Sequence, residues 1–498
     1  MIPPRRLPLC ALVTLFVSST FLLAQHATPT VRITAPIDAS QLVTVKGSVH
    51  PLANALNDRG PASPDMQLDR LHLILKRGPA QETALRQLVQ EQNTPGSPNY
   101  HKWLTPAQFA AQFGPSPQDI STVENWLSDQ GFTINKLEPG NQTLDISGTV
   151  GQLQSAFHTQ VHRYMVNGQL HYANADNPAI PAALAPVVGG FVSLNNFHYR
   201  SYAEKLGEAS YDPSTGQAKS SWTINSNGGL NFVLSPADFA VQYDVPSTLK
   251  GDGQTIAIVN DSNVNINLVN QFRSLFGLPA NPPQVIVDGN DPGVDGINNP
   301  DGPNADSVEA YLDVEWAGAV APDATVDLVI AGDTSLESGL NLAAEHAVYS
   351  NVAPVISVSF GRCEVGQGSS NAFWNSLWEQ AAAQGQTVIV SSGDSGSAGC
   401  DGSGSEYAIN GLGVNGIAST PYNVAVGGTD FFYSDWNQPS AIQAQLGTYW
   451  NTSTSDTSPS VSIKNYIPEQ PWNSSQYGLN LFNLFTAKQD TTIGAGGG

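Results

Sequence analysis

Residues 387–396 read TVIVSSGDSG, four β-branched residues that stop at a pair of serines and a glycine. A run of that kind, without polar alternation, predicts a strand buried on both faces. The same texture returns in TIAIVN at 255–260, QVIVDG at 284–289, TVDLVIA at 325–331 and PVISVSF at 354–360. Helical periodicity fills the intervals, at about 264–276, 306–320, 336–349 and 370–384. Continuous apolar strands alternating with helices predict an α/β fold, a parallel sheet with helices on both faces. Ligands of such sheets sit at the carboxyl ends of the strands, and SSGDSG falls at such an end.

Upstream the pattern is different. From about 40 to 200, short strands and helices mix: LHLILKR at 71–77 reads as a strand and AQETALRQLVQEQ at 80–92 as a helix. Thr105-Pro106 and Ser116-Pro117 each pair a capping side chain with proline at the first helical position. FTINKL and TLDISG predict two further strands, 149–157 a helix, and HRYMVNGQLHYA a hairpin turning at Asn167-Gly168. This order predicts a separate α+β domain. Residues 203–232, rich in Ser, Gly, Asn and Gln, read as a linker or processing region.

Composition adds constraints. Arg5 and Arg6, an apolar run from Leu7 to Leu23 and small residues at Ala24 and Ala27 have the layout of a secretory signal peptide, so the expected localisation is secreted, extracellular or periplasmic. No later segment predicts a membrane anchor. Cys10 lies within the signal, which leaves Cys363 and Cys400; an oxidising compartment favours a disulfide between them, with two separate thiols as the alternative. Residues 1–204 are charge-balanced, whereas residues 205–498 hold seven basic and 29 acidic groups and carry the whole net charge of −22. That acidic half excludes general nucleic-acid binding, and its self-repulsion eases as pH falls.

Gly393-Asp394-Ser395-Gly396 has the form of the nucleophile segment of trypsin-type proteases, but the chemistry that goes with it is missing. A Ser-His-Asp triad needs a histidine. Beyond residue 204 the chain has only His346, in the helical stretch NLAAEHAVYS, and the alternation of strands and helices contradicts an all-β protease. Ser395 is therefore a poor nucleophile.

The helix predicted over 305–322, ADSVEAYLDVEWAGAVAP, places Glu309 and Asp313 one turn apart on one face. On an exposed helix this would be a solvated pair of like charges. Here the neighbours Ala310, Tyr311, Leu312, Val314, Trp316, Ala317, Ala319 and Val320 make the helix apolar almost all round, which predicts burial. Two buried carboxyls cannot both ionise easily, so one holds a proton and the pair can work as acid and base. Such a pair suits low pH: at pH 4 only about 0.3% of an ordinary histidine is neutral, while a carboxylate remains a usable base.

Glu309-Ala-Tyr-Leu-Asp313 followed by VEWAGAVAP, the strand VISVSFG, the loop SSGDSG and YNVAVGGT at 422–429 occur in one order that resembles the sedolisins, the serine-carboxyl peptidases, and among them the kumamolisin-like proenzymes. The resemblance covers nearly the whole exported chain. It implies a signal peptide at 1–27, an activation propeptide of ferredoxin-like α+β type at 40–202, a processing region at 203–232 and a subtilisin-like peptidase domain from 233 to 498. It implies that Glu309 is the general base, Asp313 its partner and Asp394 the acid of the oxyanion hole. It implies that Ser357, Ser359 and Gly361 belong to a strand that pairs with substrate backbone. The implied partners are protein or peptide substrates and the chain's own propeptide as inhibitor, on a monomer.

The departures are specific. Family members carry the nucleophile in a Gly-Thr-Ser motif, which residues 1–498 do not contain; TTIGAGGG at 491–498 resembles the glycine run that precedes it. The expectation is a proenzyme cut short of its nucleophile and of the family's calcium ligands, and inactive as written. Asn260 stands where kumamolisin-like enzymes often have Glu, and Phe360 where they have Trp. The acidic loop at 288–306 lacks EF-hand spacing and reads as a surface loop. Two alternatives stand beside the acid peptidase: a subtilisin-type enzyme using His346, and a secreted peptide-binding protein without catalysis.

Overall fold

A computed structural model of the chain describes residues 29–201, 211–212, 217–218, 223–226, 229–232, 234–294, 306–401, 405–431, 445–451, 462–473, 475, 492 and 494–496. The expected signal peptide lies outside the described residues. Most of the expected processing region does too, but two short ladders stand within it: Tyr211–Asp212 pairs with Gln217–Ala218, and Thr223–Ser226 with Gly229–Phe232.

The first domain forms around β1 (Gln67–Leu75), α1 (Pro79–Gln92), α2 (Pro106–Phe113), α3 (Pro117–Asp129), β2 (Thr133–Leu137), β3 (Thr143–Thr149), α4 (Val150–Phe157) and, after a hairpin at 161–174, β4 (Val188–Phe191). Local chemistry sets the helix starts. Thr105 and Ser116 accept hydrogen bonds from the amides of Gln108 and Asp119, with proline next in each case. Asn167 and Gly168 both take positive φ, as the two-residue hairpin turn requires. The four strands are antiparallel in the order β2-β3-β1-β4, the split βαββαβ arrangement of ferredoxin-like domains. Leu71, Leu73 and Leu75 of β1 enter this domain's core with Ile120, Val123 and Leu127 of α3, so Arg70, His72 and Ile74 face the other way.

The second domain holds six parallel strands in the order β6-β7-β5-β8-β10-β11: β5 (Thr255–Asn260), β6 (Gln284–Val287), β7 (Thr325–Ile330), β8 (Val355–Val358), β10 (Thr387–Ser391) and β11 (Asn423–Val426), with a two-residue strand β9 (Phe360–Gly361) following β8. The chain leaves β5 first in one direction and then in the other. Right-handed crossovers therefore place α5 (Ile266–Leu275) and α6 (Asp306–Val320) on one face and α7 (Gly339–Tyr349) and α8 (Ser369–Ala383) on the opposite one. Ala257, Val259, Ile356, Val358 and Phe360 meet α7 and α8, while Ile258 meets α6. The change of direction at β5 opens a crevice at the carboxyl ends of the strands. The helix expected to be apolar and buried all round is only partly so: Leu312 and Val320 of α6 are exposed, because only one side of a surface helix reaches the sheet. Among the described residues no helix is long and apolar enough to cross a membrane.

The two domains are docked through the second face of the β1 sheet, which lies on α7 and α8. Arg70, in the left-handed region at a β-bulge, donates to Asp288 at 2.9 Å and to Asp145 at 3.0 Å. His72 is wedged between Glu345 of α7 and Asp145, and Thr143 Oγ1 reaches Glu345 at 3.2 Å. Arg77 pairs with Glu379 of α8 at 3.1 Å, and the Leu104 amide donates to the Ala383 carbonyl at 3.0 Å.

Candidate active site

Strand alternation explains how the acid pair is held. Since Ile356, Val358 and Phe360 point toward α7 and α8, Ser357 and Ser359 point toward α6. Ser359 Oγ there donates to Asp313 Oδ1 at 2.9 Å. The other Asp313 oxygen is buried without a hydrogen-bond partner among the described residues. Burial pushes the Asp313 carboxyl up to about 7, against the opposing pull of the Ser359 hydroxyl. Glu309, one turn earlier on the same helix, is 5% exposed. Glu309 and Asp313 thus lie one turn apart on α6, Glu309 buried and Asp313 with a carboxyl oxygen kept from water.

Asp394 is half-buried in the loop after β10, between Gly393 and Gly396, both at positive φ. A contact beyond the reach of sequence periodicity fixes this loop: the Gly494 amide donates to the Asp394 carbonyl at 3.0 Å, Gly396 N to Gly494 O at 2.8 Å, and Gly496 N to Gly393 O at 2.8 Å. A Cβ on Gly496 would fall 2.1 Å from the Ser392 carbonyl, so the close approach needs glycine. The glycine run itself was the sequence signal for it. Ser395 Oγ is buried and has no hydrogen-bond partner among the described residues. His346 faces Asp288 at 3.6 Å, on the helix layer opposite the acid pair.

The strand expected to meet substrate offers little free backbone edge. Ser357 is paired on both sides, with Ile258 and Ile389, and has no free backbone edge. Ser359 spends its hydroxyl on Asp313. Gly361 is at an edge, and that edge is taken: β12 (Arg200–Ser201), the end of the first domain, runs antiparallel to it, with Arg200 opposite Gly361 and Ser201 opposite Phe360. β12 also borders α6, the helix of Glu309 and Asp313. Cys363 and Cys400 form a disulfide that ties the end of this edge to the loop after Asp394. At the end of β5, Asn260 is fully buried, its oxygen accepting from the Ser262 amide and its amide nitrogen without a partner among the described residues.

Calcium finds no matching donor set among the described residues. The one cluster of three potential ligands is His72, Glu138 and Asp145, which includes a nitrogen; Asp145 already takes Arg70, and Glu138 takes Lys136 at 2.9 Å. A hard cation prefers an all-oxygen shell free of competing cations.

An α+β domain docked on a parallel α/β domain, its last strand laid along the edge beside α6, is the arrangement expected of a proenzyme. Residues 54–197 match the family Pro-kumamolisin, activation domain. The chain is 29% identical to sedolisin of Pseudomonas sp. (strain 101), over 85% of this chain and 69% of that protein. It is 28% identical to kumamolisin of Bacillus sp. (strain MN-32), over 83% and 70%, and 27% identical to xanthomonalisin of Xanthomonas sp. (strain T-22), over 77% and 47%. A solved structure of Pseudomonas sedolisin, a serine-carboxyl proteinase complexed with two molecules of pseudo-iodotyrostatin, is similar at 25% identity and a TM-score of 0.36, covering 53% of this chain and 62% of that one. By these likenesses the chain is similar to the peptidase proenzymes of the sedolisin family.

Proposed function

We propose that this chain is the exported precursor of an acid-acting, serine-type endopeptidase. Glu309 takes the proton of the attacking serine hydroxyl and returns it to the leaving amine. Asp313 shares a proton with Glu309 and holds it in place, and Ser359 holds Asp313. As the carbonyl oxygen gains negative charge, the protonated carboxyl of Asp394 donates to it. Water then attacks the acyl ester with Glu309 again as base. The serine belongs to a Gly-Thr-Ser segment, which residues 1–498 do not contain. Calcium, export and a monomeric state are further parts of the proposal, carried by the family likeness.

The observation that carries the reading is the antiparallel pairing of Arg200–Ser201 with Phe360–Gly361 beside α6. A propeptide that occupies the edge in the manner of substrate blocks it until the chain is cut further along. The test is hydrolysis of a denatured protein at pH 4 by the enzyme expressed from its own gene. Glu309→Gln is expected to lower the rate by about 10³ with the fold intact. A Glu309→Gln protein as active as the parent would end the proposal.

A further inference from the structure

Tyr199, the residue just before the paired dipeptide, belongs to the propeptide yet is packed in the hydrophobic core of the peptidase domain. It is 3% exposed and joins the cluster formed by β5, β8, α7 and α8. Its ring lies under the Arg362 guanidinium, 4.1 Å from ring centroid to charge, and edge-on to Trp374 at 5.9 Å. Its hydroxyl accepts the Trp374 indole N–H at 3.1 Å. Arg362 also donates to the Phe197 carbonyl, so one side chain grips both backbone and ring. Arg362 directly follows the edge strand, which sets the slot at a fixed register: one residue before the residue that pairs with Gly361.

When the propeptide leaves, this slot opens with a cation on one wall and an indole donor at its end. We propose that it is a specificity site, and that the mature enzyme selects substrates with an aromatic side chain, tyrosine above all, at the position Tyr199 now holds. The inference rests on the reading of Phe360–Gly361 as the substrate edge. Aliphatic side chains fill the slot without engaging the cation. Phenylalanine engages it but leaves the buried Trp374 N–H unpaired.

The test uses the full chain carrying Tyr199→Ala, to empty the slot, and Ser201→Pro, to remove a donor from the resident strand. Labelled peptides with the sequence of residues 195–201, with Tyr, Phe, Leu or Ala in the slot position, are titrated onto it. The expected order is Tyr, Phe, Leu, Ala, with Phe about fivefold weaker than Tyr. Adding Arg362→Ala to the host is expected to shrink the advantage of Tyr over Leu by about threefold. Equal binding of all four peptides would refute the slot and leave the peptide cleft standing. No binding by any of them would refute both. Should the host fold poorly, amide exchange at Phe360 and Gly361 in the single variants Tyr199→Phe and Tyr199→Leu decides: faster exchange in the Leu variant supports the slot, and equal rates overturn it.

Discussion

At the residue scale, the proposed chemistry centres on carboxyls kept from water. Asp313 is held neutral by burial and partly restrained by Ser359, so removing that hydroxyl should raise its pKa further. For Ser359→Ala we expect the alkaline limb of the pH–rate profile to move up by about one pH unit, read from kcat/KM against pH. Asp313→Asn should lower kcat by about 10² with little change in KM, since it orients a base and touches no substrate. That Glu309 and Asp313 stand one turn apart on α6 was legible because a spacing of four on a helix is local information. Tyr199, Arg362 and the hydrogen bond from Ser359 were not, because their partners are more than 40 residues away and no periodicity marks them.

At the scale of elements, capped helices and continuous apolar strands follow from near-neighbour chemistry, and the structure places them close to their expected positions. Short strands resist such reading. β9 and β12 are two residues each, and their pairing exists only because the first domain delivers Arg200 and Ser201 to an otherwise open edge. That docking depends on Arg70, which bridges Asp145 and Asp288 in a partly buried setting. Arg70→Ala should weaken it by about 2 kcal/mol, seen as faster amide exchange along β12 without loss of the six-stranded sheet. The disulfide closes a loop of 37 residues, and Cys363→Ala should cost up to about 4 kcal/mol of stability in urea unfolding.

At the scale of the whole molecule, two sets of groups oppose each other as pH changes. Burial pushes Asp313 and Glu337 up to about 7 and Glu315 up to about 8. Burial disfavours the charged form of His72, but the carboxylates of Glu345 and Asp145 outweigh it and hold this histidine well above its ordinary range. A raised carboxyl stabilises the fold below its unfolded pKa and loses that contribution as pH climbs to its folded value. The raised histidine likewise contributes below its unfolded pKa and loses this as pH rises through its folded one. Asp288 and Asp333 run the other way. Burial would raise both, but His346 and Arg70 hold Asp288 low, and His198, at 2.6 Å, holds Asp333 low, so their contribution is lost only in strong acid. The melting temperature should therefore peak in mild acid, between about pH 4 and 5, and fall toward neutrality. Glu337→Gln should flatten the neutral side, by about 1.4 kcal/mol for every tenfold by which burial tightens the proton's hold on this carboxyl. Calorimetry across pH 3–8 checks both expectations.

In the proposed mechanism buried carboxyls, and no histidine, activate the nucleophile. The most direct measurement is kcat/KM from pH 2 to 8 for the enzyme expressed from its own gene, beside its Glu309→Gln and His346→Ala variants. An acid optimum, loss of about 10³ in Glu309→Gln and an unchanged profile in His346→Ala are expected. A neutral optimum that disappears with His346→Ala would contradict it.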